Sequence, residues 1–83
     1  MIRVLKIIML KAENIKITNN VITCHIIGED VEQDFAVCIN DWKHFICTDK
    51  YNELDAIHVR NKLKSLYIEK HGKLPNEISL IFG

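Results

Sequence analysis

The chain has 83 residues, 48 % hydrophobic and 27 % charged, which gives room for one small core and excludes a second catalytic domain as well as a disordered or collagen-like chain. Eleven basic residues offset eleven acidic ones, so the strong overall positive field typical of stand-alone nucleic-acid binders is missing. A single α+β domain over residues 1–83 is expected, burying roughly 60–65 % of its unfolded surface. With so small a core, a protein partner or a homodimer is an expected association.

The first segment, Ile2 to Leu10, is rich in branched residues and has apolar side chains on both alternating faces, which suits a strand covered on both sides, with a helix as the alternative. Its longest apolar run, Ile7 to Leu10, is far below the ~18 residues of a membrane span. It also lacks the small-residue site of a secretory signal. No membrane association and a cytoplasmic location are therefore expected. The odd set Cys24, Cys38 and Cys47 reads as reduced thiols.

From residue 14 to residue 40 apolar and polar residues alternate with period two, the pattern of half-buried strands. Asn19 and Asn20 tolerate the positive φ of a two-residue hairpin turn, and closure there sets Thr18 opposite Val21, Ile17 opposite Ile22 and Ile15 opposite Cys24. A second reversal over Gly28, Glu29, Asp30 and Val31 sets Ile26 opposite Gln33, Cys24 opposite Phe35 and Ile22 opposite Val37. A slip of one residue would bring Asp34 and Ala36 to the apolar side, so this register is the preferred one. The predicted inner face holds Ile15, Ile17, Ile22, Cys24, Ile26, Phe35, Val37 and Ile39.

Asp41 is placed to cap a short helical turn through Trp42, Phe45 and Ile46, with the aromatic rings as core anchors. The segment from Glu53 to His71 has no Gly or Pro inside it, with Asn52 as N-cap and Gly72 as stop, and predicts a long helix. Its Ala56, Val59, Leu63, Leu66 and Tyr67 form one stripe that faces the sheet. Leu54, Ile57 and Ile68 gather elsewhere. After Pro75, Ile78, Leu80 and Phe82 alternate as in a final edge strand, a short helix after Asn76 being the alternative. The expected fold is α+β: an antiparallel meander of three to five strands packed on one face by the C-terminal helix.

No motif specifies a reaction. Cys24, His25, Cys38, His44 and Cys47 do not have the paired spacing of zinc ligands, and the register sends Cys24 inward and Cys38 outward. His44 and Cys47, three apart on the expected short helix, are at most half a site. Cys24 among Ile22, Ile26 and Phe35 reads as an inert packed thiol. Gly28, Gly72 and Gly83 cannot build a phosphate-binding loop. His25, Glu32 and Asp34 cluster on the outer face, with Lys16 and Thr23 beside them. They could share a proton or hold a divalent ion, but a solvated face with a His25–Asp34 pair is the preferred reading, since a half-solvated sheet needs polar outer residues regardless of activity. No catalytic residue, metal or cofactor is assigned.

Residues 29–55 carry eight acidic side chains against two basic ones, a net −6 that the rest of the chain balances. Such a dipolar surface steers charged partners. The first expectation is a non-enzymatic protein-binding module using Glu29, Asp30, Glu32 and Asp34. Its size and lack of catalytic residues are shared with phage or mobile-element inhibitors of host defence complexes, anti-CRISPR proteins among them. The second expectation is nucleic-acid binding along the helix through Arg60, Lys64, Lys70 and Lys73. An enzyme built on His25, Glu32 and Asp34 ranks third.

Overall fold

A computed structural model describes residues 8–29 and 31–82. They form β1 (Ile8–Thr18), β2 (Val21–Ile27), β3 (Glu32–Cys38), β4 (Asp41–Cys47), a 3-10 turn at Lys50–Asn52, α1 (Glu53–Glu69) and β5 (Ile78–Phe82). The strands build one antiparallel sheet in the order β4-β3-β2-β1-β5. β1 to β4 follow as hairpins. α1 then crosses the inner face from one edge of the sheet to the other and delivers β5 next to β1. This is the expected α+β meander with a C-terminal helix, at the upper end of the expected strand number. Residues 8–10 of the ambiguous first segment are strand, and residues 2–7 lie outside the described ones. Among the described residues, no helix is long and apolar enough to cross a membrane.

Both predicted reversals are present. Asn19 and Asn20 take φ of 51° and 66°, the left-handed values of a type I′ turn, and Thr18 and Ile17 pair with Val21 and Ile22. The Gly28 N–H donates to the Val31 carbonyl at 2.7 Å. Beyond it β2 and β3 pair without a break, with Ile26 on Gln33, His25 on Asp34, Cys24 on Phe35 and Ile22 on Val37.

The expected one-to-one pairing of Ile15 with Cys24 is corrected by a bulge. Between the Lys16–Thr23 and Glu13–His25 pairs, Asn14 and Ile15 together stand opposite Cys24. Asn14 has φ 56°, the left-handed bulge position that a short polar side chain tolerates. The extra residue shifts the alternation by one. Leu10 and Ala12 therefore join Ile15 on the inner face, and Glu13 is kept out of the core. The Ile15 N–H, turned away from β2, donates to the Asn76 carbonyl at 2.9 Å and ties the bulge to the approach of β5.

The second correction concerns residues 41–47, which are strand and not a short helix. Phe45, Ile46 and Cys47 pair with Val37, Ala36 and Phe35, whereas Asp41 pairs with Cys38, so Trp42, Lys43 and His44 have no partners on β3. The spacing of Trp42, Phe45 and Ile46 imitates a helical face because three residues loop out of the ladder. Asp41 does hold this loop. Its carboxylate meets the His44 ring at 2.9 Å and accepts from the backbone of residues 43 and 44, which lowers its pKa, the His44 bond first.

The inner face buries Leu10, Ala12, Ile15, Ile22, Cys24, Ile26, Phe35, Val37, Cys47 and Ile78 against Ala56, Val59 and Leu63 of α1. Each fully buried large apolar side chain contributes about 1.5–3 kcal/mol. Leu66, Tyr67 and Ile39 are half-buried at the margin, and Ile17 is 39 % exposed beyond the helix's cover. Among the described residues one polar side chain shares this core: Gln33 donates to the Asn52 carbonyl and accepts from the Asp49 N–H, fastening the turn before α1 to the sheet. Asn52 precedes the helix as expected but its side chain caps nothing, donating instead to Asp49. At the other end His71 and Gly72 both take positive φ, and the Gly72 N–H returns to the Tyr67 carbonyl, a Schellman-type stop.

Candidate functional site

The unbroken β2–β3 register fixes a charged group on the outer face. His25 stands directly opposite Asp34 and diagonal to Glu32. Its Nδ1 lies 3.0 Å from Asp34 Oδ1 and its Nε2 3.1 Å from Glu32 Oε2. With a carboxylate at each nitrogen, the protonated ring has an acceptor for both of its N–H groups. The Asp34 bond, then the Glu32 bond, raises its pKa above the ordinary histidine value. The carboxylates flank the ring on opposite sides and consume both nitrogens, so the three groups do not converge on one ion. Among the described residues no three such side chains are grouped to hold a metal.

Beside this group lies a shallow depression of about 490 Å³. One row crosses it from Lys16 through Thr23 and Ala36 to Ile46, and the neighbouring row carries His25, Asp34 and Thr48. Thr48 extends the β3–β4 pairing by one residue: its N–H donates to the Asp34 carbonyl and its Oγ1 accepts from the Asp34 N–H. Ile46 is 71 % exposed although it is paired within the sheet. An apolar side chain of that size beside a charged row is the informative feature here.

The structure divides the four acidic candidates. Glu32 and Asp34 meet through His25, Glu29 lines a separate depression with Met9, Lys11 and Ile27, and Asp30 lies outside the described residues. It also divides the four basic ones. Lys70 and Lys73 line an apolar hollow with Leu66, Leu74 and Pro75, whereas Arg60 and Lys64 share a hollow of about 240 Å³ with Trp42, Lys43 and Asn61. Arg60 is anchored: Nη1 donates to the Trp42 carbonyl, Nε and Nη2 donate to Asn61, and the guanidinium sits 5.5 Å over the Phe45 ring. The expected short helix did not make Trp42 and Lys43 neighbours of this flank; the unpaired loop in β4 that does so is set by pairing with β3 and leaves no local signal.

The thiols stay apart. Cys24 and Cys47 are buried on the inner face, and burial pushes the Cys24 thiol up to about 12, with Asp34 adding to the shift. Cys47 donates weakly to the Asp49 carbonyl at 3.7 Å. His44 is out in solvent on Asp41, so it and Cys47 do not form half a metal site. No protein-family model, curated protein or solved structure matches this chain.

Proposed function

We propose that the protein is a non-enzymatic binding module whose outer sheet face, at the Ile46 depression, docks another protein presenting an apolar side chain next to a basic one. The observation that carries this reading is Ile46, 71 % exposed opposite Ala36 and one row from the His25–Asp34 pair. Burying it would gain the apolar free energy that the free chain forgoes. Glu32 and Asp34 supply the charge complementary to a Lys or Arg at the rim. An inhibitor of a host defence complex, of the phage or mobile-element kind, is the specific form proposed for such a module.

The test compares the wild type with Ile46→Glu and, as an equally exposed control on α1, Ile68→Glu, in capture from the source cell together with solution mass. A stoichiometric partner whose affinity falls about thirty-fold in Ile46→Glu, the size of a hot-spot loss, and is unchanged in Ile68→Glu supports the proposal. No partner at micromolar concentration, or equal retention by both variants, overturns it. A wild-type dimer that Ile46→Glu dissociates makes the partner a second copy of this chain. The inhibitor form further requires that the captured complex lose activity on addition of the wild type and keep it with Ile46→Glu.

A further inference from the structure

We infer that the hollow between the β4 loop and α1, lined by Trp42, Lys43, Arg60 and Lys64, binds single-stranded nucleic acid by seating a phosphate among the three cations with a base against the indole. The argument begins with repulsion. Arg60 and Lys64 are one helical turn apart on α1, a like-charge spacing that opposes helix formation, and the loop in β4 adds Lys43 to the same hollow. The hollow has no acidic lining residue. Lys43, Arg60 and Lys64 take part in no ion pair formed among the described residues. The nearest carboxylate along the chain, Asp41, is turned to His44 and the loop's own N–H groups. Three convergent cations without a counter-charge are relieved by an anion.

The anion's class follows from what surrounds the charges. Of the five N–H donors of a guanidinium, Arg60 spends three within the protein, which fixes the group while two remain to meet a phosphate. Trp42 is half-buried, braced by Tyr67 at a ring-centroid distance of 5.8 Å, and still lines the hollow. A cation cluster beside a rigid, partly open indole matches the pairing of phosphate contacts with base stacking by which single strands are held. A free nucleotide is disfavoured as the occupant, since no glycine-rich loop of backbone N–H groups closes over the hollow. A strand can instead run on along the open flank of α1.

Trp42 is the only tryptophan in the chain, so its fluorescence reports on this hollow. The wild type is titrated at low salt with a short oligothymidylate, with thymidine monophosphate and with inorganic phosphate. The expected result is quenching by the oligonucleotide at concentrations where the other two have no effect. For the one phosphate seated there, a slope of about −0.7 predicts a loss of only about threefold in affinity for a fourfold rise in salt. Lys43→Glu and Lys64→Glu, both at exposed positions, each weaken binding at least tenfold, whereas Lys70→Glu and Lys73→Glu change it less than threefold. Absence of quenching, equal response to the monophosphate, or an effect of Lys70→Glu as large as that of Lys64→Glu overturns the assignment. Oligonucleotide anisotropy with Trp42→Phe separates stacking from charge: affinity retained within threefold fits a stacked ring, and unchanged affinity in Trp42→Ala refutes it.

Discussion

The β2–β3 and β3–β4 hairpins share a strand and are built by different rules. In the first, seven pairs run without interruption because Ile22, Cys24 and Ile26 alternate in step with Val37, Phe35 and Gln33, and any slip would exchange core and solvent faces. In the second, Phe45 and Cys47 face inward from the ladder and Trp42 packs against the margin of the core from outside it, so the chain can carry Trp42, Lys43 and His44 out of the ladder. Strict alternation on both strands leaves no residue to spare for anything but the sheet. Where the core's demand is confined to a few positions, side chains are released to make a surface, and the β4 loop uses them to build a cationic hollow against α1.

The sharpest way to break this contrast is to remove one aromatic ring from each hairpin. Phe35 is 2 % exposed and Phe45 half-buried, and their rings stack at 5.7 Å. Phe35→Ala is expected to cost about 3–5 kcal/mol in urea unfolding, and Phe45→Ala about 1–2 kcal/mol, in line with its partial burial and its contact with Arg60. Equal losses would mean that the irregular hairpin carries as much of the core as the regular one.

A smaller effect tests the bulge that lets β1 serve the core along its whole length. Asn14→Val places a β-branched side chain at φ 56° and is expected to cost about 1–2 kcal/mol, whereas Asn14→Gly should be neutral or slightly stabilising. Since Asn14 is exposed, a loss in valine without one in glycine isolates the backbone term. Identical thermal midpoints for the two variants would show that β1 does not depend on a left-handed residue there.

How much of this could be read beforehand follows the same division. The paired asparagines, the Gly28 reversal and the stripe through Ala56, Val59 and Leu63 were legible because each rests on a local rule: positive φ, period two or period 3.6. The bulge was not, although the change of phase between Leu10–Ala12 and Ile15–Ile17 carries its signature; the two faces of residues 2–10 read as a doubly covered strand instead. β4 failed for a deeper reason. Trp42, Phe45 and Ile46 sit at i, i+3 and i+4, and nothing local separates a helical turn from a strand that skips three residues, since the decision lies in pairing with Phe35, Ala36 and Val37. The candidate residues fared likewise: His25, Glu32 and Asp34 meet as the register required, while the basic strip is divided by neighbours that only the tertiary fold supplies.

The least costly way to sharpen the contrast is to titrate the histidine that the regular hairpin holds. In the folded chain the pKa of His25 is raised above its ordinary 6.5, chiefly by its bond to Asp34 and then by that to Glu32. A group raised on folding contributes stability that is complete below its unfolded pKa and disappears as pH climbs through the folded one. The thermal midpoint should therefore drift down as pH rises from about 6 through the folded pKa of His25, and the drift should shrink in Asp34→Asn. Because the pair is open to solvent, added salt should weaken it. The direct measurement is the His25 ring-proton shift against pH: the midpoint must fall in Asp34→Asn, and fall less in Glu32→Gln. If neither substitution moves it, the two carboxylates are spectators of the ring and the outer face of the regular hairpin is as loosely specified as the loop in β4.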